Sequence, residues 1–185
     1  MNFAVTPGRM IEAYGLANVV YFPRYPVGAP VDVAAAMLLS SVGLPRSEVF
    51  TSKEDPADPY DPGFDPIVIG SRFDHYGIEC PPESRPWWLL GYLFTSLIAL
   101  DPESGKVYAF SESEAVYGIL HRDVESLLFS LIEFRKLEVD HDNDVDPEEL
   151  VARFKRVVGA FDPTPFADED SQWNLSLEEL EHGMW

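Results

Sequence analysis

The densest set of side chains that could bind a metal lies in one short segment, Asp140-His141-Asp142-Asn143-Asp144-Val145-Asp146. The spacing of Asp140, Asp142 and Asp144 matches the first three ligands of a calcium-binding loop between two helices. The match ends there, because Val145 stands where that loop needs glycine and Val151 stands where it needs a bidentate glutamate. The segment therefore predicts an adventitious cation contact at most, and we expect neither a metal centre nor a cofactor.

Other catalytic patterns are weak or absent in this sequence. The four histidines show neither HxH nor HExxH zinc spacing, and there is no nucleophile elbow and no phosphate-binding loop. A Ser-His-Asp site stays open, because such triads assemble from distant positions. Cys80, the only cysteine, precedes Pro81 and Pro82, so it is predicted to be a small buried residue in a turn rather than a nucleophile. We expect no enzyme activity.

The charge of the chain is strongly negative and unevenly distributed. The formal net charge is −19, yet the first fifty residues contain three acids and three bases, whereas the last 49 contain 14 acids and three bases. Such a surface repels phosphates, which argues against nucleic acid as a partner, and it attracts a cationic protein. We expect these acidic residues to contact that partner: Asp55, Asp58, Asp61, Asp142, Asp144, Asp168, Glu169 and Asp170.

The composition indicates that these acids lie on a folded protein. Of the 185 residues, 46% are hydrophobic and 13% are aromatic, which is typical of one globular domain over residues 1–185 rather than of a disordered acidic chain. The longest uncharged apolar run, residues 87–100, is too short to span a bilayer and predicts buried strands. The single cysteine and the lack of a secretory signal predict a cytoplasmic protein without a membrane partner.

Two adjacent tryptophans, Trp87 and Trp88, begin this apolar run. Neighbouring residues of a strand point to opposite faces of a sheet, so one of the two rings is expected in the core. The other ring, assigned to Trp87, is predicted to be an outward anchor for the partner. The alternative is that helices cover both faces and both rings are buried.

Capping residues and glycines indicate the elements of the first half. Thr6 and Pro7 predict a helix start, Asp32 predicts the cap of a helix over residues 33–42, and Gly43 ends that helix. Residues 52–66 contain four prolines and several acids, so they predict a loop that is either a solvated insertion or a contact segment. The first thirty residues form an extension with few diagnostic signals.

The middle of the chain is rich in predicted strands and the C-terminal part in predicted helices. Strands are predicted over residues 67–69, 87–92, 95–100 and 106–110, with a hairpin turn over residues 101–105. Helices are predicted from Asp123 to about residue 138, from Asp146 to about residue 161, and over residues 177–181. This order predicts an α+β fold with helices packed against one antiparallel sheet.

Four segments resemble the SUKH superfamily, and more narrowly the SUKH-4 immunity proteins of actinobacteria. They are Val42-Gly43-Leu44-Pro45 followed by Phe50, then Ile67-Val68-Ile69-Gly70, the hairpin over residues 98–107, and the ending over residues 161–184, which is the most specific. One departure is Leu120-His121-Arg122-Asp123-Val124, where family members often carry an Asn-Ser-Ser-like helix start. The segments cover most of the chain after residue 35.

The resemblance implies a SUKH-like α+β fold and a cytoplasmic antidote of a polymorphic toxin system. Such a protein binds and blocks a toxin domain, often a nuclease or a deaminase, and has no established catalytic residues. The acidic surface fits this role independently, since nuclease domains bind phosphates in basic clefts that an acidic protein can fill. The alternative is a protein-interaction module of the same superfamily that is unrelated to any toxin.

Overall fold

The computed structural model describes residues 2–24, 31–52, 67–111 and 116–184, so most of the loop predicted over residues 52–66 lies outside the described residues. The α-helices are α1 (Pro7–Tyr14), α2 (Val33–Ser41), α3 (Ile69–Tyr76), α4 (Val124–His141), α5 (Pro147–Phe161) and α6 (Gln172–Glu181). The strands are β1 (Val19–Val20), β2 (Leu44–Pro45), β3 (Phe50–Ser52), β4 (Trp88–Leu93), β5 (Ser96–Leu100), β6 (Val107–Phe110) and β7 (Tyr117–His121). Within these ranges, no helix has both the length and the apolar character needed to cross a bilayer.

Side-chain caps fix the starts of four helices at the positions that the sequence predicted. The caps are Thr6, Asp32, Asp123 and Asp146, and each side chain accepts a hydrogen bond from the backbone N–H three residues further on. Each bond satisfies an N–H group that the first turn of a helix leaves without an intrahelical partner. These local signals therefore place α1, α2, α4 and α5 correctly.

The main sheet is an antiparallel meander in the order β3-β4-β5-β6-β7, which confirms the predicted α+β fold. The predicted hairpin joins β5 to β6, where Leu100 pairs with Val107 and Gly105 takes a φ of +74°. A second, two-stranded sheet pairs β1 with β2. Gly43, with a φ of +77°, precedes β2, and a Cβ there would lie 2.7 Å from the carbonyl oxygen of Val20. Glycine therefore permits the close approach of β1 and β2.

The two faces of the main sheet have separate cores, because successive side chains of a strand point to opposite faces. The helical face packs against α4, α5 and α6, and its buried strand residues include Trp88, Leu90, Ile98, Val107 and Leu120. Helices α1 and α2 also contact α4, so the first and last helices share this core. On the second face, Leu89, Leu97 and Phe110 pack with Phe73 of α3.

Two predicted elements differ from the structure. The strand predicted over residues 67–69 is wrong, because Ile69 begins α3 and only Val68 forms an isolated bridge, to Trp88. The N–H of Ile69 donates to the carbonyl oxygen of Trp87 over 2.8 Å, so the chain follows β4 only briefly before it turns into the helix. The last helix, α6, begins well before the predicted residue 177, because the side chain of Ser171 caps it.

Candidate partner-binding site

Trp87, predicted to be an outward anchor, is buried. The residue is 8% exposed, and its ring stacks on that of Tyr108 with the centroids 4.2 Å apart. The two tryptophans do point to opposite faces of the sheet, but each ring belongs to a buried cluster. The alternative in which both rings are buried therefore describes this pair, and Trp87 stabilises the core of the second face.

The acidic segment between α4 and α5 forms a turn that joins the two helices. The Asp140 carboxylate accepts a hydrogen bond from the guanidinium of Arg153, and Asp146 caps α5. Asp142 and Asp144 face solvent. In the part of the chain that the structure describes, no three His, Cys, Asp or Glu side chains are grouped to hold a metal ion. Two of the four carboxylates therefore stabilise helix ends, and two remain free for a partner.

The second predicted acidic segment is an exposed loop that precedes α6. The Asp168 carboxylate accepts a hydrogen bond from the N–H of Asp170 over 3.0 Å, and its carbonyl oxygen accepts one from Asn174 Nδ2 over 2.7 Å. These bonds fix the loop to the first turn of α6, while Asp168, Glu169 and Asp170 remain exposed. The other predicted acids, Asp55, Asp58 and Asp61, lie outside the described residues.

A groove lies between this loop and the edge of the main sheet, and we name it the β7 groove. It has a volume of about 480 Å³, and its walls come from β6, β7, residues next to them and the start of α6. Its lining combines apolar and acidic side chains, among them Val116, Ile119, Leu175, Asp168 and Asp170. No Lys or Arg of the described segments lines it. The β7 groove therefore suits an occupant that is both apolar and cationic.

A second hollow with several acidic side chains, of about 340 Å³, also lies beside the turn between β4 and β5. Its charged side chains are Glu48, Arg135, Glu138, His141 and Asp142. Burial raises the pKa of Glu138, although Arg135 Nη1, 3.2 Å from Glu138 Oε2, opposes the rise. Phe94 lines this hollow and the next residue, Thr95, lines the β7 groove. The fold thus brings Asp142 and the loop of Asp168 to one end of the sheet.

Strand β7 and Val116, the residue before it, supply groove residues that the sequence analysis missed. Val116 is 65% exposed and Ile119 is 40% exposed, so two large apolar side chains face water on one short stretch. The hydroxyl of Tyr117 donates to Glu83 Oε1 over 2.7 Å, and this bond raises the pKa of Tyr117 to about 12. The signal that indicates a strand here is the β-branched and aromatic run Val116-Tyr117-Gly118-Ile119-Leu120.

A buried polar network joins β7 to the helices on the helical face. His121 Nδ1 lies 2.8 Å from Ser126 Oγ, and Trp173 Nε1 donates to His121 Nε2 over 3.0 Å. Because an indole N–H can only donate, Nε2 is the unprotonated nitrogen and Nδ1 carries the proton. Ser126 Oγ therefore accepts from His121, and it donates its own proton to Asp162 Oδ2 over 2.5 Å.

This proton order is the opposite of that in a Ser-His-Asp catalytic triad. In a triad, the imidazole nitrogen that faces the serine is unprotonated, so that it can take the hydroxyl proton. Here that nitrogen donates, and the hydroxyl of Ser126 is already bonded to a carboxylate. Ser126 is therefore not activated as a nucleophile, and the network of Ser126, His121 and Asp162 stabilises the packing of α4 and α6 on β7.

The network makes stability depend on pH. Burial lowers the pKa of His121 to about 3, although the nearby Asp162 carboxylate acts in the opposite direction. The unfolded chain protonates this histidine near its ordinary value of about 6.5, so below that pH the unfolded state binds one proton more than the folded state. From about pH 7 to about pH 5, His121 is expected to lower the free energy of unfolding by about 2 kcal/mol. Urea unfolding at both pH values measures the difference.

Two glutamine variants test this assignment. His121→Gln is expected to remove most of the difference between the two pH values, because glutamine does not titrate. His182→Gln is the matched control, since His182 is exposed on the surface and lies 3.8 Å from Glu178. The assignment is wrong if His121→Gln loses as much stability as the unmodified protein between the two pH values.

The antiparallel meander and the helices packed on its faces define an α+β domain that is consistent with the SUKH type. The sequence model of the SUKH-4 immunity protein family matches residues 5–179, and the chain therefore belongs to that family. This membership indicates an immunity function, a toxin protein as the partner and a role that is not enzymatic. Neither the curated proteins nor the solved structures that were searched contain a significant match.

Proposed function

We propose that this protein binds and neutralises a cationic toxin domain of a polymorphic toxin system, a nuclease or a deaminase, in the cytoplasm of the cell that makes it. The observation that carries the proposal is the charge beside the β7 groove. After Arg156 the chain contains seven acids and neither Lys nor Arg, and Asp168, Glu169 and Asp170 are exposed at the groove. A basic cleft that binds phosphates is complementary to such a surface.

The cations near the other helices do not compensate this charge. Arg9 of α1 and Lys136 of α4 both pair with Glu133, at 3.2 and 2.6 Å, so this acid offsets one of these two positive charges. The acids of the loop before α6 have no such cationic neighbours among the groove residues. These exposed acids support the proposal, because they attract a cationic partner from a distance.

This field predicts fast association that depends on salt. Raising the salt concentration from about 0.02 M to about 0.5 M is expected to slow association at least about tenfold, because mobile ions screen charges separated by more than a few ångströms. Stopped-flow mixing with the toxin domain encoded beside the gene measures the rate. Equal rates at both salt concentrations would contradict the electrostatic part of the proposal.

Two triple variants of equal net charge test which acidic residues speed the association. The first is Asp168→Asn with Glu169→Gln and Asp170→Asn, which removes three negative charges at the groove. The control is Glu178→Gln with Glu179→Gln and Glu181→Gln, which removes three exposed negative charges further along α6. The groove variant is expected to associate at least about threefold more slowly than the control. If both variants associate equally slowly, the acids beside the β7 groove have no special part in attracting the partner.

Survival of cells tests the function itself. Co-expression with the toxin domain encoded beside the gene is expected to restore growth that the toxin alone arrests. The alternative function, an interaction module unrelated to a toxin, predicts no rescue of growth. A second test follows from the proposed mode of action, since the purified protein should inhibit the isolated toxin domain in proportion to the amount bound.

A further inference from the structure

Among the described strands, β7 is the last of the main sheet and pairs only with β6. The N–H of Ser111 donates to the carbonyl oxygen of Val116 over 3.3 Å, and Ala109 pairs with Gly118 in the same register. Antiparallel pairs alternate between hydrogen-bonded and non-hydrogen-bonded positions. The pairs of Val116 and Gly118 are therefore the hydrogen-bonded ones, and Tyr117 occupies a non-hydrogen-bonded position.

The main-chain groups of Tyr117 and Ile119 consequently point away from β6. Outside the sheet ladders, no backbone hydrogen bond between described residues reaches the N–H or C=O groups of these two residues. Edge strands are usually protected by charged side chains, by proline or by a bulge. Residues 116–119 contain no charge and no proline, and the shift in register lies beyond Ile119. The 3₁₀ turn Thr164–Phe166 lies against β7, but Gly118 and Ile119 are exposed. Residues 117–119 therefore present the donors and acceptors that an added strand requires.

Acidic side chains flank both faces of this edge. On the helical face, a Cβ built on Gly118 would lie 3.9 Å from Asp168 Oδ2, and Asp170 lines the same groove. On the second face, Glu83 accepts the hydrogen bond from Tyr117. The side chains of an added strand alternate between the two faces. Lysine or arginine in such a strand would therefore meet a carboxylate on either face, with Val116 and Ile119 as apolar contacts.

We propose that the outer edge of β7, from Val116 to Ile119, binds an extended cationic segment of the partner, which adds to the sheet as a further strand. This inference deepens the proposed function and rests on it for the identity of the partner. A second copy of this chain is the other occupant that an open edge admits. Two copies of net charge −19 would place Asp168 and Asp170 of each near those of the other, which disfavours that pairing.

Amide hydrogen exchange of the full chain tests the site directly. Without a partner, the amides of Tyr117 and Ile119 are expected to exchange fast, because they are unpaired. With a bound toxin domain, or with a six-residue peptide of alternating lysine and valine at about 1 mM, both amides are expected to exchange at least about tenfold more slowly. A peptide of alternating glutamate and valine is the control, and it should give no protection.

A proline variant gives an independent test. Ile119→Pro removes the outward N–H without removing a hydrogen bond to β6, because that N–H points away from the sheet. Ile119→Ala is the matched control, since it shortens the side chain and keeps the N–H. The proline variant is expected to bind the toxin domain at least about tenfold more weakly than the alanine variant, with equal thermal stability of the two. Equal affinity would overturn the inference.

The outcomes separate this inference from the proposed function. Protection of Tyr117 and Ile119 by the lysine peptide together with failure to bind the toxin domain supports the edge and overturns the function. Tight binding of the toxin domain without protection of either amide would overturn the proposed binding at the β7 edge, but it would not contradict the proposed function. Protection that grows with the concentration of this protein alone identifies a second copy as the occupant, and it overturns the cationic strand.

Discussion

Replacing Trp173 with alanine is expected to lower the free energy of unfolding by about 3 to 5 kcal/mol. The ring is fully buried and lies between Phe134 of α4 and Phe154 of α5, with centroid distances of 5.3 and 5.4 Å. A third ring, that of Phe94 in the turn between β4 and β5, lies 6.2 Å away. Alanine would leave a cavity where α4, α5, α6 and the sheet meet, and these rings cannot all move to fill it.

Urea unfolding followed by circular dichroism measures this loss. Leu175→Ala is the matched control on the same helix, because Leu175 is exposed, and it should change the free energy of unfolding by less than about 0.5 kcal/mol. Trp173→Phe separates packing from hydrogen bonding, since phenylalanine fills part of the space and cannot donate to His121. It should cost about 1 to 2 kcal/mol. A Trp173→Ala variant as stable as Leu175→Ala would contradict the placement of the ring.

Replacing Asp162 with alanine is expected to cost at least about 3 kcal/mol. The buried carboxylate accepts hydrogen bonds from Ser126 Oγ, from the N–H of Arg122 over 3.1 Å and from the N–H of Thr164 over 3.0 Å. Burial raises the pKa of Asp162, but these hydrogen bonds outweigh it and lower the pKa overall. Alanine would leave three donors without an acceptor, and each donor that stays buried carries its own desolvation cost.

A graded series tests this assignment. Asp162→Asn keeps the shape and one oxygen acceptor but turns an NH₂ group towards a donor, so its loss of stability should fall between those of Asp162→Ala and the unmodified protein. Asp170→Ala is the exposed control and should lie within about 0.5 kcal/mol of the unmodified protein. Urea unfolding near pH 7 gives the order. Equal stability of Asp162→Ala and Asp170→Ala would contradict a structural role for the Asp162 carboxylate.

Local chemistry in the sequence predicted the helix starts and the hairpin, because those features depend on few neighbouring residues. Asp32 and Asp123 cap helices through an N–H only three residues away, and Gly105 supplies a left-handed turn conformation. The strand predicted over residues 67–69 was wrong for the converse reason. Ile69 enters a helix where its N–H bonds to Trp87, and no local pattern encodes that long-range contact.

The sequence likewise predicted part of the candidate site and missed the rest. Charge counting located the acids of residues 168–170, whose exposure follows from their type, but it could not show that they lie beside β7. That strand was missed because Gly118 interrupts a short apolar run, and its edge position is a property of the whole sheet. For Trp87, the alternation of side chains along a strand correctly predicted that it and Trp88 point to opposite faces of the sheet. The same alternation could not show that a second buried cluster covers the Trp87 ring.

Trp173 follows α4 and α5 in the chain, yet it packs at the centre of the core that those helices share. A ribosome has completed α4 and α5 before it reaches this residue, so a truncated chain exposes the rings of Phe134 and Phe154 that Trp173 would cover. Proteases remove chains with such exposed surfaces. A chain that ends before residue 173 is therefore expected to be degraded, so truncation there should remove the protein instead of only weakening it.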